Sequence, residues 1–212
     1  MVSDMQSRNE DRMSKKRLCM ALALLISLLM LAACGSAESA EISTIEIQKD
    51  GSIIQNTVGS FDQDYYSKED LESFAQEQIQ SYSASGDGTI ELSSVSLLDD
   101  GNVKLSLKFD NSETYTAFEG KTLFMGTVAQ AIVAGYEPSG YMTPIENGES
   151  SDASVKVKEA DYTMDMKILV AEEQYEITVP GEIVWVSSVG TKVTGTSSVQ
   201  INTDELTYII YE

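Results

Sequence analysis

The stretch IELSSVSLLDDGNVKLSLKF, residues 90–109, decides the fold class. Val103, Leu105, Leu107 and Phe109 recur at every second position with polar residues between them, the period of a strand with one buried face. Residues 90–98 read as its partner strand. Between the two runs stands Asp99-Asp100-Gly101-Asn102, a turn signal, so the stretch predicts a β-hairpin. Upstream, Ile45 and Ile47 alternate with Glu46 and Gln48, Asp50-Gly51 interrupts, and an apolar run resumes over residues 53–58, which predicts a second hairpin.

Between these hairpins, Leu71, Phe74, Ala75, Ile79 and Tyr82 recur at helical spacing, and residues 68–83 are expected to form an amphipathic helix. Ser67 with Asp70 makes a variant capping box, and Glu69, Asp70 and Glu72 suit the positive end of the helix dipole. Downstream, Asn111 is placed to cap a short helix ending at Phe118, residues 121–126 read as a buried strand, and Thr127 caps a further short helix over 128–134 closed by Gly135. Residues 136–154 are polar, hold Pro138 and Pro144, and are expected to form a flexible loop or a subdomain boundary. Strands are then expected over 155–157, 165–171, 175–187 with a bend at Pro180-Gly181, 192–201 and 206–211. The class is α+β, mainly antiparallel sheet built from hairpins, with one amphipathic helix and one or two short ones.

The N-terminus carries a different message. Lys15, Lys16 and Arg17 precede an uncharged run, LCMALALLISLLMLAA, over residues 18–33, the arrangement of an export signal. Leu31, Ala32, Ala33 and Cys34 resemble the lipobox of bacterial lipoproteins. The resemblance implies diacylglycerol on the Cys34 thiol and cleavage between Ala33 and Cys34 by the lipoprotein signal peptidase, which would recognise Leu31, Ala32 and Ala33. Residues 1–33 would then be a lipoprotein signal peptide, 34–43 a short polar tether, and 44–212 a single extracytoplasmic domain. The alternative is an uncleaved anchor in which Cys34 is an ordinary small residue.

Residues 1–33 hold five of the 14 basic residues and three of the 34 acidic ones, so the remaining 179 residues carry nine Lys, 31 Asp+Glu and a net charge of −22. That sign excludes a nucleic-acid backbone as partner, because such binding rests on cations that release phosphate counterions. At 42% hydrophobic the chain is too apolar for a disordered acidic tail. The mature part has no His, no Arg and no Cys besides Cys34. Ser-His-Asp and Cys-His catalysis, thiolate or imidazole metal sites, disulfides and bidentate guanidinium clamps are thereby excluded. Gly120, Lys121 and Thr122 mimic the end of a phosphate loop, but Tyr115 stands where its first glycine is needed.

Two weaker candidates remain. Asp62 and Asp64 are spaced like the start of a calcium loop, but an EF-hand would want a glycine at Ser67 and a bidentate carboxylate at Ser73, so a solvated helix-entry loop competes with that reading. Trp185, or Tyr136 with Tyr141, could stack on a sugar; a lone Trp in an Ile-Val-Trp-Val run is otherwise a core residue.

The lipobox, STIEIQKDGSI, FDQDYYSKEDLESF, LFMGTVAQAIVAGY and VPGEIVWVSS together resemble a group of surface lipoproteins of gut Firmicutes. The resemblance implies a location and no catalytic residues. The expectation is a lipid-anchored module on the extracytoplasmic face of the cell membrane that binds an envelope or extracellular ligand, or serves a structural role, without a cofactor or catalysis. Carboxylate-based glycan processing and calcium-dependent adhesion are the alternatives.

Overall fold

The computed structural model describes residues 41–63, 65–84, 86, 88–99, 101–151 and 153–212. The lipobox residues Leu31, Ala32, Ala33 and Cys34 lie outside them. In chain order the elements begin with β1 (Thr44–Ile47), β2 (Ile53–Ser60), α1 (Lys68–Ser83), β3 (Ile90–Leu97), β4 (Asn102–Phe109), α2 (Ser112–Glu119), β5 (Leu123–Thr127) and α3 (Val128–Val133). There follow β6 (Tyr141–Glu146), β7 (Glu149–Ser150), β8 (Val155–Lys156), a 3-10 turn (Val157–Glu159), β9 (Lys167–Ala171), β10 (Glu176–Thr178), β11 (Ile183–Ser187), β12 (Thr191–Val193), β13 (Ser198–Ile201) and β14 (Thr207–Tyr211). Among the described residues the fold is mostly sheet, antiparallel-rich, with three helices. Among the described residues no helix is long and apolar enough to cross a membrane.

The first sheet has the order β12-β13-β10-β1-β2-β4-β3 and the second β5-β9-β14-β11-β6-β7, with β8 paired to β6. The parallel contact of β1 with β10 contrasts with the antiparallel ladders around it. The hairpin of residues 90–109 forms as its alternation dictates, with Leu98 N donating to Asn102 O at 2.8 Å and Gly101 at φ 78°, a backbone that favours glycine. The helices are capped by the residues their sequences single out: Ser67 Oγ accepts from Asp70 N, Asn111 Oδ1 from Thr114 N, and Thr127 and Gln130 exchange a full capping box.

One buried cluster draws on both sheets. Ile45, Ile53, Leu107, Phe109, Ile177 and Ile201 of the first sheet meet Leu123, Leu169, Ile183, Val186, Ile209 and Tyr211 of the second. Phe109 stacks edge-on against Tyr115 of α2 at 5.1 Å, and Phe118 extends the aromatic row to Tyr82 of α1. The opposite face of the second sheet carries another cluster, in which Ile168, Val170, Tyr208 and Ile210 lie under Val128 and Ala131 of α3. Strands β9 and β14 are therefore apolar at nearly every position, since both their faces are covered. A register shift between Ile183 and Trp185 in β11 sends both Val184 and Trp185 to this outer cluster, while Ile183 and Val186 point inward.

Three expectations are corrected. Residues 136–154 are not a loop: they contain β6 and β7, joined at Asn147-Gly148 with both residues at positive φ, and β6 is bonded to β11. Residues 192–201 form two strands around a turn, where Thr194 N donates to Ser198 O, because the polar run Thr194-Gly195-Thr196-Ser197-Ser198 separates Val193 from Val199. Residues 175–187 change sheets at Pro180-Gly181. A Cβ on Gly181 would collide with the Glu212 carbonyl oxygen, which accepts from Glu182 N at 3.0 Å.

Candidate functional site

Two crossovers between the sheets meet at one polar seam. Helix α2 carries the chain from β4 in the first sheet to β5 in the second, and residues 172–175 carry it back from β9 to β10. From the second crossover Glu173, 7% exposed, accepts a hydrogen bond on Oε1 from the fully buried Tyr115 hydroxyl at 3.2 Å. Tyr175, 3% exposed, shares a 3.2 Å hydrogen bond with Thr57 Oγ1 of β2. Glu119 lies one turn beyond Tyr115 on the same helix face, half-buried, where the Gln55 side chain hydrogen-bonds it. Among the described residues no buried side-chain nitrogen or oxygen lacks a partner.

The electrostatics follow from this burial. Desolvation, and then the charge of Glu173, push the Glu119 carboxyl up to about 7 against the pull of Gln55. Glu173 is also raised, by desolvation first, with Lys121 and the Tyr115 hydrogen bond opposing. Burial lifts Tyr175 to about 12, and burial with the nearby Glu173 charge holds Tyr115 well above the usual phenol range. Burial thus draws the Glu119 carboxyl toward its protonated form near neutral pH. The seam is poorly placed to act on a substrate, because Glu173 is covered and its Oε1 is engaged by Tyr115.

An open cleft of about 500 Å³ lies elsewhere, beside the β1–β2 turn, where Lys49 and Lys108 stand among Glu46, Asp50, Ser52 and Pro180. Asp50 is held below its usual range by hydrogen bonds from Ser52. Among the described residues the one ion pair is Lys104 Nζ to Glu41 Oε2 at 2.6 Å.

The residues singled out by sequence fall apart from one another. Asp62 is exposed and accepts from Gln63 Nε2 at 2.9 Å, while Asp64 lies outside the described residues. Among the described residues no three acidic, Cys or His side chains gather as metal ligands. Trp185 is half-buried and packs against the outer cluster, with its Nε1 donating to Asp161 O at 3.3 Å. Tyr136 packs on Phe124 at 5.3 Å in the same cluster, whereas Tyr141 opens β6 with its ring exposed. They do not form a stacked platform.

Sequence reasoning missed Glu119 and Glu173. One signal pointed to Glu173: residues 169, 171, 173, 175, 177 and 179 are all buried, and a carboxylate occupies an inward position in that otherwise apolar and aromatic line. No protein family, curated protein or solved structure matches the chain.

Proposed function

We propose that the chain is a membrane-anchored extracytoplasmic lipoprotein, resembling the surface lipoproteins of gut Firmicutes, whose body acts as a non-catalytic binding or structural module. The observation that carries this reading is Cys34 directly after Leu31-Ala32-Ala33, which end a 16-residue uncharged run that follows a basic segment. Residues 34–43 serve as tether and 44–212 as one domain, a reading supported by the cluster that draws on both sheets. We read the fold as α+β, because α2 and α3 supply Tyr115 and Val128 to the two cores.

Two bound acyl chains hold a protein stably on a membrane, at about 0.8 kcal/mol per buried CH2. A body with a net charge of −22 is repelled by anionic headgroups, so attachment would rest on the lipid and the acidic surface would stay in solvent. The Glu119–Glu173 pair favours a carboxylate enzyme by composition alone; the cover over Glu173 speaks for the non-catalytic reading. Metabolic labelling of the exported full chain with an alkyne palmitate analogue tests the anchor. The wild type should take the label and Cys34→Ala should lose it; persistent labelling of the variant contradicts the assignment.

A further inference from the structure

Asn147-Gly148 is the only Asn-Gly pair in the chain. It forms the whole two-residue loop between β6 and β7, with Glu146 opposite Glu149, Asn147 at φ 53° and Gly148 at φ 80°. Positive φ at both central positions is the type I′ turn that Asn-Gly favours. Asn147 is exposed, and among the described residues neither its carboxamide nor the Gly148 N–H makes a hydrogen bond. A glycine also has no Cβ to hinder approach of its nitrogen to the preceding side chain.

The other described asparagines all precede a residue with a side chain, and two are engaged: Asn56 Nδ2 donates to Thr44 Oγ1 at 3.0 Å, and Asn111 Oδ1 accepts from Thr114 N at 2.8 Å. Asp50, which precedes Gly51, is occupied as well. Its Oδ1 accepts from Ser52 N at 3.0 Å and Ser52 Oγ at 2.7 Å, and an ionised carboxylate is a poor electrophile.

From this turn we infer that Asn147 is a site of spontaneous deamidation through a cyclic imide. The Gly148 nitrogen bonds to Asn147 Cγ, the Cγ–Nδ2 bond breaks, and the amide nitrogen leaves as ammonia carrying the Gly148 proton. Water then opens the ring, at Cγ to give aspartate or at the main-chain carbonyl to give isoaspartate. Either product places a new negative charge between Glu146 and Glu149, and isoaspartate lengthens the main chain by one methylene. The turn has little room for it, because a Cβ on Gly148 would stand 2.8 Å from Thr196 N, in the β12–β13 turn of the other sheet. The isoaspartyl form therefore pushes the two hairpin tips apart. None of this depends on the lipid anchor.

Incubation of the full-length protein in detergent at pH 8 and physiological temperature, then trypsin digestion in mild acid and tandem mass spectrometry, tests the site against an unincubated sample. Lys121 and Lys156 bound a tryptic peptide, residues 122–156, whose one asparagine is Asn147. That peptide should gain one mass unit at residue 147, with isoaspartate the larger product, while Asp50 and the asparagines at 56, 111 and 202 stay unchanged. Asn147→Gln should abolish the gain. An unchanged Asn147 in the folded protein overturns the site, as does conversion to aspartate alone, which would bypass the imide. Amide hydrogen exchange on the aged chains, separated by charge, reads the consequence. Isoaspartyl chains should exchange faster than unmodified ones over residues 194–198; equal exchange overturns the displacement of the tips.

Discussion

The two faces of β9 and β14 are made from alternate residues of the same strands, yet they differ in chemistry. The outer face presents Ile168, Val170, Tyr208 and Ile210 to α3 and to Phe124, Tyr136 and Trp185, with the charge of Glu137 near Tyr162 and Tyr208. The inner face presents Leu169, Ala171, Ile209 and Tyr211, and its line continues past the strand end into Glu173. The outer face is held by area removed from water, roughly 25 cal/mol per Å² of apolar surface. The inner one is held the same way until it reaches the seam, where the desolvated carboxyls of Glu119 and Glu173 join the packing. A sheet with two covered faces can therefore carry a pH-insensitive core on one side and a titrating seam at the margin of the other.

The largest expected effect breaks the apolar half of this contrast. Ile210→Ala should lower the unfolding free energy by about 2–5 kcal/mol, because it removes fully buried methyl groups that the surroundings cannot refill. The loss should be the same at pH 5 and pH 8, as read by urea titration. A loss that varied with pH would place the outer cluster under the same titration as the seam.

Next comes the removal of the polar half. Replacing Tyr115 by Phe and Glu173 by Leu together takes away both partners of the buried hydrogen bond, so neither is left unsatisfied. The double variant should be more stable than wild type at pH 8 by about 1–4 kcal/mol, as found when buried polar groups are exchanged for apolar ones of similar volume. Tyr115→Phe alone should instead be destabilising. Thermal melts at pH 8 separate these outcomes.

The smallest expected effect lies outside both faces. Asn111→Ala removes the cap of α2, whose Oδ1 accepts from Thr114 N at 2.8 Å, and should cost about 1 kcal/mol at any pH. It serves as a reference for a loss in the same helix that does not involve the seam.

What the sequence made legible was local. Turns at Asp50-Gly51 and Gly101-Asn102, caps at Ser67, Asn111 and Thr127, and the stripe of α1 are written in neighbouring residues, and each formed where its chemistry placed it. What failed was long-range. Alternation over residues 175–179 and the apolar run over 183–186 do not tell one bent strand from two in different sheets, and the polar run 194–198 around Gly195 is a turn signal that a reading of 192–201 as one strand passes over. Polarity and two prolines disguised β6, which tolerates Pro144 opposite Trp185. The seam was hidden more deeply: Glu119 and Glu173 belong to elements of different crossovers, and among 31 acidic residues only the fold brings these two together.

Burial raises the Glu119 carboxyl far above the ordinary carboxylate range, and carboxyl-carbon NMR of the full-length protein labelled with ¹³C-glutamate reads it directly. The resonance missing from Glu119→Gln identifies Glu119 in the wild-type spectrum. The account predicts a titration midpoint for it near 7, far above the exposed glutamates. A Glu119 midpoint at the ordinary carboxylate value, near 4.5, would contradict the account.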